Sequence, residues 1–489
     1  MAAKFYITTA IDYVNGEPHL GHALEKIQAD VLARYHRSLG DDVFFLTGTD
    51  ENAQKNVLAA EKANLPVREF IDRNVSRFKE MITLLNISNT DFIRTADKKK
   101  HWPGVIKLWQ QCERAGDIYK KEYSGYYCLG CEAFVTEKDL KNGLCPEHLK
   151  PPEKISEENY FFRLSKYQGR LKELIESDEL RIVPEVKKNE ILSLINSGLD
   201  DFSISRPAER MKGWGIPVPD DGSQIVYVWY DALSNYITAL GYGTEDTRLF
   251  EKYWPADIHV IGKGIIRFHA VYWPAMLLSA GLPLPKSIFV HEYITAGGQK
   301  MSKSLGSQVD PIELAKKYGA EPVRYFLLRE ISPFQDGDFT FERLEERYNS
   351  DLAKGLGNLV SRVLTMAEKA FRGEIEGEAS FQFHDLFKEI SEKFEQSMAE
   401  FKFNNALAAI WKLITYCDQY IERERPWERN DQQVLKNLLA SLVQIASFLK
   451  PFLPETSRKI FVQLGIEKDK KPWRFKIKKE KALFPKINP

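Results

Sequence analysis

A doubly wound α/β domain with a parallel sheet, interrupted by an insertion and followed by an all-helical domain, is the fold this 489-residue sequence predicts. Three observations carry that expectation. An apolar strand, Phe5-Tyr6-Ile7-Thr8-Thr9-Ala10, runs into a helix-opening segment with two histidines, Pro18-His19-Leu20-Gly21-His22. Near-continuous apolar runs resume at Ile225–Trp229, Ile258–Ile261 and Ser287–His291, the texture of strands buried on both faces. From Asp351 onward apolar residues recur at helical spacing.

Taken in order, residues 1–115 read as the first half of the α/β domain. Phe5–Thr9 and Val43–Thr47 are its strands, flanking a helix over Leu20–Leu39 in which Leu24, Ile27, Val31 and Tyr35 share a face. Residues 116–215 change texture, with tyrosines, clustered cysteines and Pro151-Pro152, and read as the insertion. Residues 216–290 resume the sheet. Residues 291–350 carry Lys300-Met301-Ser302-Lys303-Ser304, with Gly297, Gly298 and Gly306 around it. In residues 351–489 one stripe is Leu352, Leu356, Leu359, Val363 and Met366. Another is Leu407, Ile410, Trp411, Ile414 and Ile421, in a helix that Pro426 should stop. A third helix is expected over Val434–Leu449, ending before Pro451.

Composition narrows the function classes. With 43% hydrophobic residues the chain can build several domains. Its 69 basic and 69 acidic residues cancel, which excludes a non-specific nucleic-acid coat and requires any RNA partner to meet a local basic patch. No apolar run reaches membrane-spanning length, and Met1-Ala2-Ala3-Lys4 leads straight into the first strand without a secretory core. Five cysteines, an odd number, make no disulfide framework. A cytoplasmic protein is expected.

The two basic motifs have a common chemical reading. His19 and His22 share a face where a helix begins, the end that attracts anions, and Gly21 leaves room for a purine or ribose. Lys300 and Lys303 place two ammonium groups on a glycine-flanked loop suited to closing over a triphosphate. Each motif alone is a weak signal; in this order they describe the two sides of an ATP site that transfers AMP. A third motif is sharper. Cys128-Leu-Gly-Cys131 and Cys145-Pro-Glu-His148, separated by thirteen residues, form two facing knuckles. Three thiolates and one imidazole complete a closed, structural tetrahedral zinc site.

The segments Thr8–His22, Phe45–Glu51, Tyr227–Ala232, Ile261–Lys263, Phe268–Pro274 and Lys300–Ser304 resemble the class I aminoacyl-tRNA synthetases, most closely the methionyl-tRNA synthetase family, over nearly the whole chain. The resemblance implies a Rossmann-like catalytic domain, a zinc-knuckle insertion, a stem-contact region in 291–350 and an anticodon-binding bundle. It implies activation of methionine by ATP to methionyl-adenylate and pyrophosphate, then transfer to the 3′-terminal ribose of tRNA(Met). His19, His22, Lys300 and Lys303 would be catalytic, and Gly21, Glu25, Gly262 and Lys303 would bind ATP with Mg2+. Ile11, Tyr13, Trp229, Ala232, Tyr236, Phe268 and His269 would form the methionine pocket, with Asp50 on the substrate ammonium. Tyr236 and His269 would turn hydrogen-bonding groups toward the thioether sulfur. Asn358 and Arg362, four apart on a helix flank, and Trp427 would read the CAU anticodon. One Zn2+ per chain is expected at Cys128, Cys131, Cys145 and His148.

Four positions, at three places in the chain, depart from the family pattern. Gly264 stands where relatives carry Asp, Asn52-Ala53 where they carry His-Gly, and Asp12 where they carry Pro or Tyr. The chain ends soon after the bundle without an appended RNA-binding domain, so a monomer is expected. The resemblance implies that a Leu483-Phe484-Pro485-Lys486 tail returns to the catalytic side; a frayed, solvated tail is the alternative reading. Leucine, isoleucine and valine enzymes would need a larger insertion. A cofactor-forming nucleotidyltransferase would leave the knuckle and helical domain unexplained, and a silent RNA-binding relative would not need both basic motifs.

Overall fold

The computed structural model describes residues 2–135, 137, 140–146, 149–300, 309–371, 375–429, 431–466 and 474–487. It comprises two compact units: Met1–Pro18, Leu39–Ile82 and Ser88–His291 form the first, and His19–Ser38, Thr83–Ile87 and Glu292–Pro489 the second.

The first unit is built on a seven-stranded parallel sheet. From one edge its strands run Asp91–Arg94, Asp42–Asp50, Lys4–Thr9, Ile258–Gly262, Ser287–His291 and Arg181–Val183, with Asp12–Tyr13 pairing the end of Asp42–Asp50. Phe5 through Thr9 are all buried, as a central strand requires. Lys4–Thr8 pair with Asp42–Leu46 on one side, and Ile7–Thr9 pair with Ile258–Val260 on the other. The chain therefore winds outward in opposite directions from this strand. The crevice at the carboxyl ends of Lys4–Thr9 and Ile258–Gly262 is the place where such sheets bind ligands.

Two segments differ from expectation. Ile225–Trp229 is not a parallel strand: Ile225 and Val226 end an antiparallel strand, Asp221–Val226, and Val228–Thr238 is a helix. All eleven residues of that helix are buried, so its apolar run has no polar face to betray the helical period. Arg181–Val183, inside the stretch read as insertion, is the edge strand of the main sheet. Around it, Ala133–Val135, Ile118–Cys128, Glu153–Phe162 and Phe202–Ser203 form a four-stranded antiparallel sheet.

The second unit is mainly helical. Leu20–Leu39 buries Leu24, Ile27 and Val31, and Tyr35 meets Phe394 with ring centroids 6.0 Å apart. Arg324, fully buried, pairs with Asp30 at 2.7 Å and donates to the carbonyls of Leu85, Pro451 and Phe452. One guanidinium thus ties three stretches of this unit together. Leu352, Leu356, Leu359 and Val363 are buried, across Tyr348–Gly357 and Asn358–Ala370. Phe403–Glu424 ends at Arg425, whose φ of 44° breaks the helix just before Pro426. Gln432–Leu449 ends before Pro451. The tail packs within this unit, on Tyr348–Gly357, rather than on the sheet-bearing first unit's residues. Phe484 meets Tyr348 edge-on at 6.1 Å, and the Tyr348 hydroxyl donates to the Pro485 carbonyl at 2.9 Å. No helix among the described residues is long and apolar enough to cross a membrane.

Candidate active site

At the carboxyl end of the first unit's sheet a continuous aromatic surface assembles. Trp229, in the first turn of Val228–Thr238, stacks on Phe268 with centroids 3.7 Å apart and planes 6° from parallel. Tyr13 and His269 each stand edge-on to Trp229 at 6.4 Å. Phe268 and His269 come from a π-helical turn, Phe268–Tyr272, a form that recurs at functional sites. The Tyr236 hydroxyl lies 2.6 Å from His269 Nε2, while His269 Nδ1 lies 3.0 Å from the Ile265 carbonyl. The carbonyl requires a proton on Nδ1, so Nε2 accepts from the hydroxyl. Ala232 is buried one turn from Trp229, and Ile11 is half-buried against the same core. The structure therefore brings the six aromatic and aliphatic residues Tyr13, Trp229, Ala232, Tyr236, Phe268 and His269 into one neighbourhood.

Asp50, the last residue of its strand, supplies the charge. It is 2% exposed, and its Oδ1 has no hydrogen-bond partner among the described residues. Burial, and then the nearby Asp231 carboxylate, hold it well above the ordinary carboxylate range, while Lys55 pulls it back. Lys55 rests over the Tyr13 ring, 3.2 Å from its centroid. Asp231 is held in turn by His101 Nε2 at 2.5 Å and by Asn52 Nδ2 at 2.7 Å, so the departure at Asn52 has a definite partner. Sequence reasoning missed Lys55, His101 and the buried His259, whose ring lies 4.2 Å from that of Tyr236. Each is a single residue whose role depends on folding, with no motif to announce it.

The histidine motif opens Leu20–Leu39, in the second unit. The two rings stack at 3.7 Å. His19 Nδ1 accepts the Gly21 N–H and His22 Nδ1 accepts the His19 N–H, both at 3.1 Å, so each neutral ring carries its proton on Nε2. A Cβ at Gly21 would fall 3.0 Å from His19 Cε1, so the glycine makes room for the His19 ring. Glu25 is buried and bonded to Lys26 at 2.9 Å. Lys300 ends a short strand, Gln299–Lys300, paired with Ile294–Ala296. Lys303 lies outside the described residues. In the first unit, Gly262 ends its strand, and Gly264 follows in a tight exposed turn.

The Sγ atoms of Cys128, Cys131 and Cys145 lie within 4.8 Å of one another, a donor set able to hold a metal ion. His148 is outside the described residues. Burial and the neighbouring sulfurs push the Cys131 thiol up, an effect a bound dication would reverse. The loop is joined to the pocket. The Trp229 indole donates to the Cys131 carbonyl at 3.4 Å, and the Tyr227 hydroxyl donates to the Glu132 carbonyl. The Glu132 carboxylate accepts the Lys55 N–H at 2.7 Å and the Tyr127 hydroxyl at 2.6 Å.

In the second unit Asn358 is exposed, Arg362 pairs with Glu422 at 2.6 Å, and Trp427 is 53% exposed, unusual for a tryptophan.

Comparison with known proteins agrees with this geometry. Residues 5–154 and 139–364 match the model of "tRNA synthetases class I (M)", and residues 382–484 match that of the anticodon-binding domain of tRNA ligases. A methionine–tRNA ligase from Caldanaerobacter subterraneus is 43% identical over 100% of this chain and 80% of its own length. One from Thermotoga maritima is 43% identical over 95% of this chain and 76% of its own. Mycobacterium tuberculosis methionyl-tRNA synthetase in complex with methionyl-adenylate superposes with a TM-score of 0.94 at 38% identity, covering 99% of this chain and 100% of that one. With homology spanning both units, this chain belongs to the methionine–tRNA ligase family of class I tRNA synthetases.

Proposed function

We propose that this protein is a methionine–tRNA ligase, and that the residues above divide its two-step reaction as follows. What supports the amino-acid assignment is the pocket's chemistry: aromatic walls that fit an unbranched, polarizable side chain, with the buried Asp50 carboxylate at the carboxyl end of its strand. Asp50 binds the methionine ammonium. Ile11, Tyr13, Trp229, Ala232 and Phe268 hold the side chain, and the Tyr236–His269 pair, whose protons are donated within the protein, lines the same pocket beside it.

With methionine fixed, its carboxylate attacks the α-phosphorus of ATP and pyrophosphate leaves. No protein nucleophile is needed, so the task is alignment and neutralisation of charge on phosphoryl oxygens. His19 and His22 donate to those oxygens through Nε2, Lys300 and Lys303 grip the triphosphate, and Gly21, Glu25 and Gly262 border the nucleoside. Mg2+ travels with the triphosphate. A ribose hydroxyl of the tRNA then attacks the acyl carbon and releases AMP. Asn358, Arg362 and Trp427 read the anticodon by edge contacts and stacking. Zn2+ is the ion held by Cys128, Cys131, Cys145 and His148, and it supplies folding energy to the knuckle rather than chemistry. The enzyme acts as a cytoplasmic monomer, and the five segments 1–115, 116–215, 216–290, 291–350 and 351–489 correspond to its working parts.

Exchange of labelled pyrophosphate into ATP tests the assignment directly. Methionine alone among the amino acids should support it; support by leucine or cysteine instead would overturn the reading.

A further inference from the structure

The helix Val228–Thr238 presents different residues to its two sides. Trp229, Ala232 and Tyr236 recur at helical spacing and face the amino-acid pocket. Asp231 and Thr238 lie two turns apart on another face, and the His101 imidazole spans them. Its Nε2 lies 2.5 Å from Asp231 Oδ1, and its Nδ1 lies 2.7 Å from Thr238 Oγ1. All three residues are fully buried. His101 immediately precedes the helix Trp102–Arg114, and a Cβ on Gly104, in the first turn of that helix, would fall 2.3 Å from the Tyr242 carbonyl and 2.5 Å from Thr238 Cγ2. The two helices therefore approach closely, with the imidazole as their polar clamp.

The second Asp231 oxygen, Oδ2, accepts from Asn52 Nδ2 at 2.7 Å, and the same amide donates to the Thr95 carbonyl at 3.1 Å. Asn52 lies two residues beyond Asp50, and its backbone N–H donates to the Asp50 carboxylate. It thus stands between two carboxylates and holds both. The Glu51 N–H and the Trp102 indole also end on Thr95, at 2.8 Å and 3.0 Å, which joins the end of the strand Asp42–Asp50 to the start of Trp102–Arg114. Position alone does not require a charge at residue 231. An amide oxygen would accept the same two hydrogen bonds, whereas a carboxylate buried to this depth carries a large desolvation cost. What the charge adds is a second negative pole beside Asp50, whose Oδ1 has no partner among the described residues.

We propose that Asp231, oriented by His101 and Asn52, is a positioning residue that acts through Asp50, its buried charge strengthening the hold on the substrate's ammonium group and on no other part of the amino acid. This rests on the proposed function, in which Asp50 binds that ammonium. The groups that face Asp50 are Asp231, Lys55, Glu132 and the Asn52 N–H; those that face Asp231 are His101 and the Asn52 amide. Asp231 opposes ionisation of Asp50, and Lys55 favours it. One charge therefore leaves two signatures. It raises affinity for an ammonium where both carboxylates are ionised, and it moves the acid-side loss of that affinity to higher pH.

The test compares methionine with 4-(methylthio)butanoate, the same molecule without its ammonium, by isothermal titration across pH, the second ligand in competition with the first. Wild-type protein is set beside Asp231→Asn, His101→Ala and His101→Gln. On the alkaline plateau Asp231→Asn should bind methionine about tenfold more weakly and the deaminated compound as the wild type does. Its methionine affinity should also decline at a lower pH than that of the wild type. His101→Ala removes one donor to Asp231 and should move both readouts in the same direction. His101→Gln keeps a donor near the Nε2 position and should return them toward wild type. Should Asp231→Asn fail to fold, judged by circular dichroism, the two His101 variants carry the same comparison. Equal losses for both ligands, unchanged methionine affinity, or an acid limb that stays in place would each overturn the proposal. If the wild type binds methionine and the variants behave in one of those ways, this inference falls alone; if the wild type does not bind methionine, the ligase reading falls.

Discussion

On the proposed function, Asp50 has conflicting duties. A carboxylate must be ionised to hold an ammonium, yet burial and Asp231 favour its neutral form. Because its proton is held above the ordinary carboxylate range, methionine affinity should fall with decreasing pH earlier than an exposed aspartate, near 3.9, would allow. Lys55→Met removes the opposing cation and should move that decline to higher pH. Isothermal titration of methionine across pH checks both; identical profiles for wild type and variant would contradict the electrostatic account. Asp50→Asn keeps the shape and loses the charge, so KM for methionine should rise roughly 10- to 100-fold, the worth of a charged hydrogen bond. On the proposed function, His19 and Lys303 act on the other substrate. Lys303→Ala should cut pyrophosphate exchange by about 10²–10³ while leaving tRNA binding intact, as measured side by side.

At the scale of elements, the knuckle and the helix Val228–Thr238 behave as one piece, since the Cys131 and Glu132 carbonyls accept from Trp229 and Tyr227. One zinc per chain should be found by elemental analysis. Cys145→Ala should lose it and loosen the amide exchange of residues 118–162, read by mass spectrometry. What was legible at this scale follows from burial. Strands 5–9 and 258–261 announced themselves because a strand covered on both faces is apolar throughout. The helix at 228–238 hid for the same reason, being covered on every side. Three residues at a sheet edge, Arg181–Val183, are too few to carry a pattern. The pocket aromatics and the cysteines were found because they sit in recognisable local runs. Lys55, His101 and Glu132 were not, because only the fold gives each its neighbours.

At the scale of the whole molecule, the residues proposed to bind methionine lie in the first unit, whereas the histidines and lysines proposed to bind ATP belong, like the proposed anticodon readers, to the second. Anticodon reading and activation rest on different residues and should fail separately. Trp427→Ala should leave pyrophosphate exchange unchanged while lowering aminoacylation of tRNA(Met) about tenfold, the loss of one stacking surface. Loss of exchange in that variant would mean Trp427 supports the fold rather than the RNA. The central strand carries a further consequence. Lys4–Thr9 pairs with Ile258–Gly262, some 250 positions later, and that strand pairs with Ser287–His291. A ribosome making this chain therefore releases the first strand long before one of its two neighbours exists. Until then its open flank offers unpaired backbone groups to any passing chain, so synthesis speed and chaperone supply should govern the yield of active enzyme more strongly than the equilibrium stability of the finished sheet.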